Sequence, residues 1–331
     1  MTTGATPEKV ATARVTSLSA RGLPTGGDAL RCLVLIALVA GFAFATRGAT
    51  ISGANIANVL LQSAITGIAA CGQALVVLTA GLDLSVSGVV ALSMMIGGSL
   101  ITTPVSPFIA LPAMVLVAGA FGFVNGFIVA RFRLPALVVT LGSWQIGNGL
   151  AYQVTGKGFV DHIPLNIAAI GQGQVFAIPI PVIVFFAIVA LSYFLLHRTP
   201  FGAEVYAVGG NPKAAFISGV PVQRVRIMVF AIAGLLYGVG AVISMSSYLS
   251  ATMAQTTGLE LSTISAVAIG GVSLAGGKGT MLGVLFGTLI IGVVDNGLSV
   301  MGVGPAYQAI AKGAIIIVAV GLDSLRRSSR R

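Results

Sequence analysis

Along the chain, long apolar runs alternate with short connections that hold most of the polar residues. The runs lie near 30–47, 54–80, 86–102, 107–130, 135–153, 176–196, 227–248, 261–276, 280–297 and 305–321. Several reach the ~20 apolar residues that carry a helix across the hydrocarbon core of a bilayer. The pattern predicts an all-α, polytopic membrane protein, with about ten transmembrane helices in one domain over 30–321. A polar, basic segment, 1–29, precedes this domain, and a short basic tail, 322–331, follows it.

Composition removes the soluble alternative. The chain of 331 residues is 56% hydrophobic and 8% charged, with a mean hydropathy of +1.02, too few charges to coat a water-facing surface. The first run, Leu33 to Ala45, has basic residues before it and small ones after it, as a cleavable signal does. Its polar lead is long for a signal and further spans follow, so an uncleaved first span is expected. The 44 glycines suit close helix packing in lipid, with GxxxG pairs at Gly122/Gly126, Gly234/Gly238 and Gly283/Gly287.

The net charge of +10 would suggest a nucleic-acid partner in a soluble protein, but here its distribution reads as topology. Basic residues gather before the first run, at Arg131 and Arg133, from Arg198 to Arg226, at Lys278 and in the tail. All but Arg47, Lys157 and Lys312 then fall on one side. An even number of crossings between these clusters puts both termini and the connection 197–226 in the cytoplasm, and no nucleic-acid partner is expected. Cys32 and Cys71 lack metal or disulfide spacing and are read as packing thiols.

Little in the chain points to catalysis. The stretch "GGVSLAGGKGT" ends in the Gly-Lys of a phosphate loop, yet Val272 and Gly279 stand where that loop needs Gly and Ser or Thr. HExxH, GxSxG and ligand-spaced Cys/His sets are absent from the sequence, so no catalytic or metal site is predicted and the chain is not expected to be an enzyme. The acidic residues carry more information, because a charge within the bilayer costs several kcal/mol and faces protein or water. Asp83 is open to two readings, capping of the following helix with Ser85 as a second cap, or gating. Asp295, Asn296 and Glu260 are either outer-surface groups or the lining of a vestibule. Gln62, Gln73, Asn125, Trp144, Gln145, Asn148 and Gln308 either bond helices together or meet a hydrated solute. Asp83, Ser85, Asn125, Gln145, Asn148 and Asn296 form the candidate translocation path. No carboxylates pair by spacing, which counts against coupled proton or sodium transport.

Two stretches echo each other, "AGLDLSVSG" (Ala80 to Gly88) and "GGVSLAGGKG" (Gly270 to Gly279), with "VNG" (Val124 to Gly126) and "DNG" (Asp295 to Gly297) in the spans that follow. The echo suggests a parallel duplication. "GGNPKAAFISGV" (Gly209 to Val220) is a polar interruption with Asn211 at a cap position, Pro212 at the first helical position and Gly219 as a left-handed stop. The resulting helix of about two turns is too short to persist alone. It therefore packs either on the protein's own inner surface and lipid headgroups, or in a groove on another protein.

At this point the sequence resembles the membrane permeases of bacterial ABC importers for monosaccharides, the ribose/xylose/galactose class related to branched-chain amino acid permeases. The likeness runs from about Ile51 to Leu322 and rests on "LTAGLDLSVSGVVALS" (Leu78 to Ser93), "TPFGAEVYAVGGNPKAAFISGV" (Thr199 to Val220) and "AVAIGGVSLAGGKGT" (Ala266 to Thr280). One departure is "LSVSG" where the family more usually reads "LSVGS". The resemblance implies a multi-pass inner-membrane permease that pairs with a second permease copy, a cytoplasmic ABC ATPase and a periplasmic sugar-binding protein. It implies no cofactor in this chain, ATP and Mg being bound by the ATPase. It also implies that Asn211 to Gly219 is the coupling helix, so that Gly209, Gly210, Asn211, Pro212, Lys213, Ala214, Ala215, Ser218 and Gly219 are the ATPase-coupling residues. A bulky charged residue at Ala215 or Gly219 is expected to abolish uptake. A pentose or hexose is the expected solute, with an amino acid or polyol, or a self-powered secondary transporter, as alternatives.

Overall fold

The computed structural model describes residues 26–304 and, beyond them, 306–314, 317 and 321. Most of the predicted polar segment 1–29 and the tail 322–331 lie outside the described residues. The order is α1 (Gly26–Ala45), α2 (Gly53–Leu78), α3 (Val86–Ile101), α4 (Pro107–Phe132), α5 (Ala136–Thr155), β1 (Phe159–Val160), α6 (Ala168–Gln172), β2 (Gln174–Val175) and β3 (Ile178–Pro179). There follow α7 (Ile180–Arg198), α8 (Pro200–Gly210), α9 (Pro212–Ile217), α10 (Val222–Tyr248), β4 (Ala251–Thr252), α11 (Leu259–Ile269) and α12 (Met281–Val300). Among the described residues six helices, α1, α2, α4, α7, α10 and α12, are long and apolar enough to cross a membrane.

The core is built around α2, whose inner half from Gly67 to Leu78 is wholly buried between α10, α12, α7 and α11. Helix α1 lies outside, mostly exposed, against α12. Exposed Phe, Leu and Ile side chains on α1, α4, α5 and α7 form the outward faces, as expected where lipid replaces water.

Glycine spacing determines the tightest contact. A Cβ built at Gly122 would lie 3.0 Å from Gly234 Cα, one at Gly126 would lie 2.9 Å from Ile227 Cα, and one at Gly238 would lie 2.6 Å from Val115 Cα. Two of the predicted GxxxG pairs therefore face each other, bringing the α4 and α10 backbones together, and the third, Gly283/Gly287, faces Ala266 and Gly270 beside α11. Gly234→Leu is expected to drive side-chain atoms into the Ala118 carbonyl, costing about 1–3 kcal/mol or more. A melt of the detergent-solubilised protein should show a lowered midpoint, with Gly142→Leu as the control, since nothing stands within 4 Å of a Cβ there.

Three boundaries differ from the sequence expectation. The first helix begins at Gly26, so Arg31 stands on its second turn, paired with Asp28 at 2.6 Å and donating to Ile269 O at 3.2 Å. A cation at the α11 C-terminus is favourable there. The run near 261–276 is helical only to Ile269, a rise of about 16 Å against a ~30 Å core, and a glycine-rich loop, 270–280, follows it. The run near 227–248 begins earlier, at Val222, so Arg224 and Arg226 lie on α10 and not in the connection.

The opposite end is closed by irregular structure. β1 pairs antiparallel with β4, Phe159 opposite Thr252, and this pair covers α3 near Gly98. Helix α6 seats on the end of α10, with Ser247 Oγ donating to Gly171 O at 3.2 Å and Gln172 Nε2 donating to Ser247 O at 2.9 Å.

Candidate functional site

The expected short helix is present as α9, and its ends are closed as the sequence implied. Asn211 Oδ1 accepts from Lys213 N at 3.1 Å and Ala214 N at 3.0 Å, and Pro212 takes the first helical position, where no N–H is missed. At the other end Gly219, at φ +87°, lets Val220 N reach Ala215 O at 3.0 Å and Gly219 N reach Phe216 O at 3.0 Å, the paired bonds of a Schellman stop. The connection is not one helix but two, because α8 precedes α9, started by Thr199 and Pro200.

The side chains of α9 divide sharply. Ala215 is buried against the chain itself, whereas Phe216 is 72% and Ile217 84% exposed, beside exposed Lys213, Ala214, Ser218 and Gly219. A substitution at Ala215 therefore disturbs internal packing before any partner is met, which corrects its expected use as a docking test. Phe216 and Ile217 carry the apolar face that the sequence reading left out of the coupling set.

Behind α9 three backbones meet. Gly277 N donates to Leu78 O at 2.9 Å, and Tyr206 Oη donates to Gly279 O at 2.8 Å. A Cβ at Gly209 would overlap Leu78 O and lie 2.6 Å from Gly277 N, and one at Gly276 would lie 2.7 Å from Ala80 N. The two echoed stretches thus stand side by side at the end of α8, at the same end of the bundle. Their expected companions do not correspond. Asn125 lies on α4, two helices past the first turn, while Asn296 lies on α12, directly after the second.

From this junction a buried polar chain crosses the protein. Ser143 Oγ donates to Asn125 Oδ1 at 2.5 Å, Asn125 Nδ2 donates to Ser85 Oγ at 3.0 Å, and Ser85 Oγ donates to Asp83 Oδ1 at 2.5 Å. The Tyr237 hydroxyl lies 3.3 Å from Asp83 Oδ2 and 3.2 Å from Gln73 Oε1, donating to one of them at a time. Ser85 N also donates to Asp83 Oδ1 at 2.8 Å, so Asp83 closes the turn before α3, and Ser85, the cap residue, makes no side-chain cap bond of its own. Thr140 ties the same turn to α5, accepting from Leu84 N at 3.0 Å and donating to Leu82 O at 3.1 Å. Tyr237→Phe is expected to leave Asp83 Oδ2 short of a donor and to lower stability by about 1–2 kcal/mol, read as an earlier thermal midpoint at unchanged expression.

The six expected path residues therefore separate into three places. Asp83, Ser85 and Asn125 are joined in the buried chain. Gln145 is exposed and Asn148 half-exposed on the outward face of α5. Asn296 lies at the far end, exchanging side-chain bonds with Asn55 at 2.8 and 3.0 Å. Lys312, an exception to the charge rule, faces protein, 2.9 Å from Asp295 Oδ2 and 3.1 Å from Ser262 Oγ. Gln308 bonds Ser299 Oγ and Val303 O.

The family model described as the permease component of the branched-chain amino acid transport system matches residues 55–320. A ribose import permease protein of Bacillus subtilis (strain 168) is 38% identical over 271 residues, 81% of this chain and 84% of the relative. An L-arabinose ABC transporter permease protein of Azospirillum brasilense is 38% identical over 280 residues, covering 84% and 82%. A fructose import permease protein of Rhizobium meliloti is 37% identical over 311 residues, covering 89% and 84%. No solved structure gives a significant match. With its six long apolar helices, its capped helix pair α8–α9 and this match over most of its length, the chain is a multi-pass membrane protein that belongs to the branched-chain amino acid transport system permease family.

Proposed function

We propose that the chain is the membrane-spanning permease subunit of an ATP-driven importer that carries a monosaccharide, a pentose or hexose, across the bacterial inner membrane. The observation that carries this reading is α9, whose Phe216 and Ile217 stand exposed at the end of the bundle rich in basic residues. Large apolar side chains on a rigid, capped helix suit a groove on a protein partner better than water. The partner is a cytoplasmic ATPase, which holds the ATP and Mg, while this chain holds no cofactor and performs no catalysis. The ribose, arabinose and fructose named for the relatives support the sugar.

In this reading the polypeptide crosses about ten times with both termini in the cytoplasm. The count takes α3, α5, α11 and the helix at 306–314 together with the six long spans. Two copies pair, and Gln145 and Asn148, polar side chains among the apolar ones on the outward side of α5, line the path between them, since their amides have no favourable place in lipid. ATP binding draws the ATPase halves together and moves α9. The motion passes through Gly209 to Leu78 and Gly277, because backbones in direct contact cannot slide without shifting the turn 79–85. Asp83, Ser85 and Thr140 transmit that shift to α4, α5 and α10. A periplasmic sugar-binding protein delivers the solute at the other end.

The test is uptake by cells carrying the permease with its ATPase and binding protein, using radiolabelled ribose, arabinose, allose, fructose, mannitol and L-leucine. Saturable uptake of a monosaccharide, not displaced by L-leucine or mannitol, is expected. Uptake of L-leucine or mannitol alone would overturn the sugar assignment.

A further inference from the structure

Between α2, α10, α11, α12 and the helix carrying Lys312 lies a half-open cavity of about 210 Å³. Its wall includes Gln62, Tyr248, Gln255, Ser262, Asp295 and Lys312. Asp295 stands fourteen residues beyond Met281, the start of α12, hence about 20 Å from the coupling junction. Gln255 belongs to the irregular segment that closes the opposite end. The cavity thus occupies the outer half of the bundle, below the face where a binding protein would deliver its cargo.

Several features set this wall apart from ordinary interhelical bonding. Lys312 already joins Asp295 and Ser262, so the charges balance, and yet Asp295 Oδ1 has no hydrogen-bond partner among the described residues. A buried carboxylate oxygen without a donor is costly. A volume equal to about seven waters' share of the liquid suits a single sugar ring, whose hydroxyls donate to Asp295 and accept from Lys312 and the two glutamine amides. Tyr248, at the end of α10, adds an aromatic face for the C–H side of such a ring. A drug-like apolar ligand would want the reverse lining.

We propose that this cavity is a monosaccharide-binding chamber inside each permease chain, built on Asp295, Lys312 and Tyr248, which holds the sugar after release and before it enters the path. The chamber rests on the sugar-importer reading, and the experiment separates the two.

The full complex in proteoliposomes, with outward-facing permease, carries Cys32→Ser together with Thr66→Cys or Thr257→Cys on the chamber wall. Cys71 is fully buried and is left in place. A water-soluble methanethiosulfonate is added outside, with and without the monosaccharide that the unmodified complex takes up. Expected is a fall in labelling rate at both positions of about tenfold when the sugar stands at about ten times its Kd. That protection should be lost with Asp295→Asn and absent with L-leucine. Labelling at Ser52→Cys, exposed and away from the chamber, should not change. If the unmodified complex takes up the sugar while neither chamber cysteine is protected, the chamber is wrong and the importer reading stands. Protection by L-leucine, or equal protection at Ser52→Cys, would also overturn the chamber. If no monosaccharide is taken up, both readings fall together.

Discussion

Phe216→Asp combined with Ile217→Asp is expected to abolish ATP-dependent uptake while the permease still reaches the membrane. Both side chains are exposed in the isolated chain, so the substitutions remove little internal packing, and carboxylates in water cost the free protein almost nothing. In the complex the same carboxylates would be forced into an apolar groove. Buried anchor residues of this kind are worth about 2–4 kcal/mol each, so ATPase binding should weaken by roughly a hundredfold or more. Co-purification of the ATPase with the tagged permease measures this, beside the permease's own elution profile. An ATPase that stays bound to a well-folded double variant would remove α9 from the coupling role.

Gly209→Val is expected to give the second large effect, of a different kind. The added side chain collides with Leu78 O and Gly277 N at the point where three backbones touch. Here α9 keeps its exposed face, so the ATPase should still bind, and what fails is transmission. Uptake should fall by more than about tenfold, the scale that overpacking by 1–3 kcal/mol at a contact sets, while ATP hydrolysis continues without its normal link to transport. Gly210→Ala is the matched control, since nothing stands within 4 Å of a Cβ there. Normal coupled uptake by a folded Gly209→Val protein would show that the junction transmits nothing.

Much of this architecture is legible in the residues because bilayer physics leaves few options. The long apolar runs had to be mostly helical. The capped stub was readable to the residue, since Asn211, Pro212 and Gly219 each have one strong local meaning, and the GxxxG pairs named the α4–α10 contact. What periodicity does not encode is where a helix stops within an apolar run. "AIGGVSLAGG" looks as apolar as a helix, and only its glycines, φ +70° at Gly277 among them, allow the loop that ends α11 early. Nor does a linear pattern reveal which polar side chains meet. Asn125, Ser143, Asp83 and Tyr237 come from four segments, and Asn296, similar in its local motif, ends at the opposite side of the bundle. Ala215 was assigned to the docking face because a linear reading treats all of a two-turn helix as open to a partner, whereas its methyl is buried against the chain itself. Lys312 was recognisable only as an exception to the charge rule, whereas the vestibule reading of Asp295 and the solute reading of Gln62 already pointed towards the chamber.

The most direct measurement is solute accumulation by proteoliposomes of defined content. One set holds this polypeptide alone, with imposed proton and sodium gradients. The other holds the permease with its ATPase, ATP on the ATPase side and loaded binding protein on the far side. The expected result is uphill accumulation of the monosaccharide in the second set alone, ceasing when ATP is withdrawn. Uphill accumulation by the polypeptide alone under either gradient would contradict the coupling of α9 to an external motor.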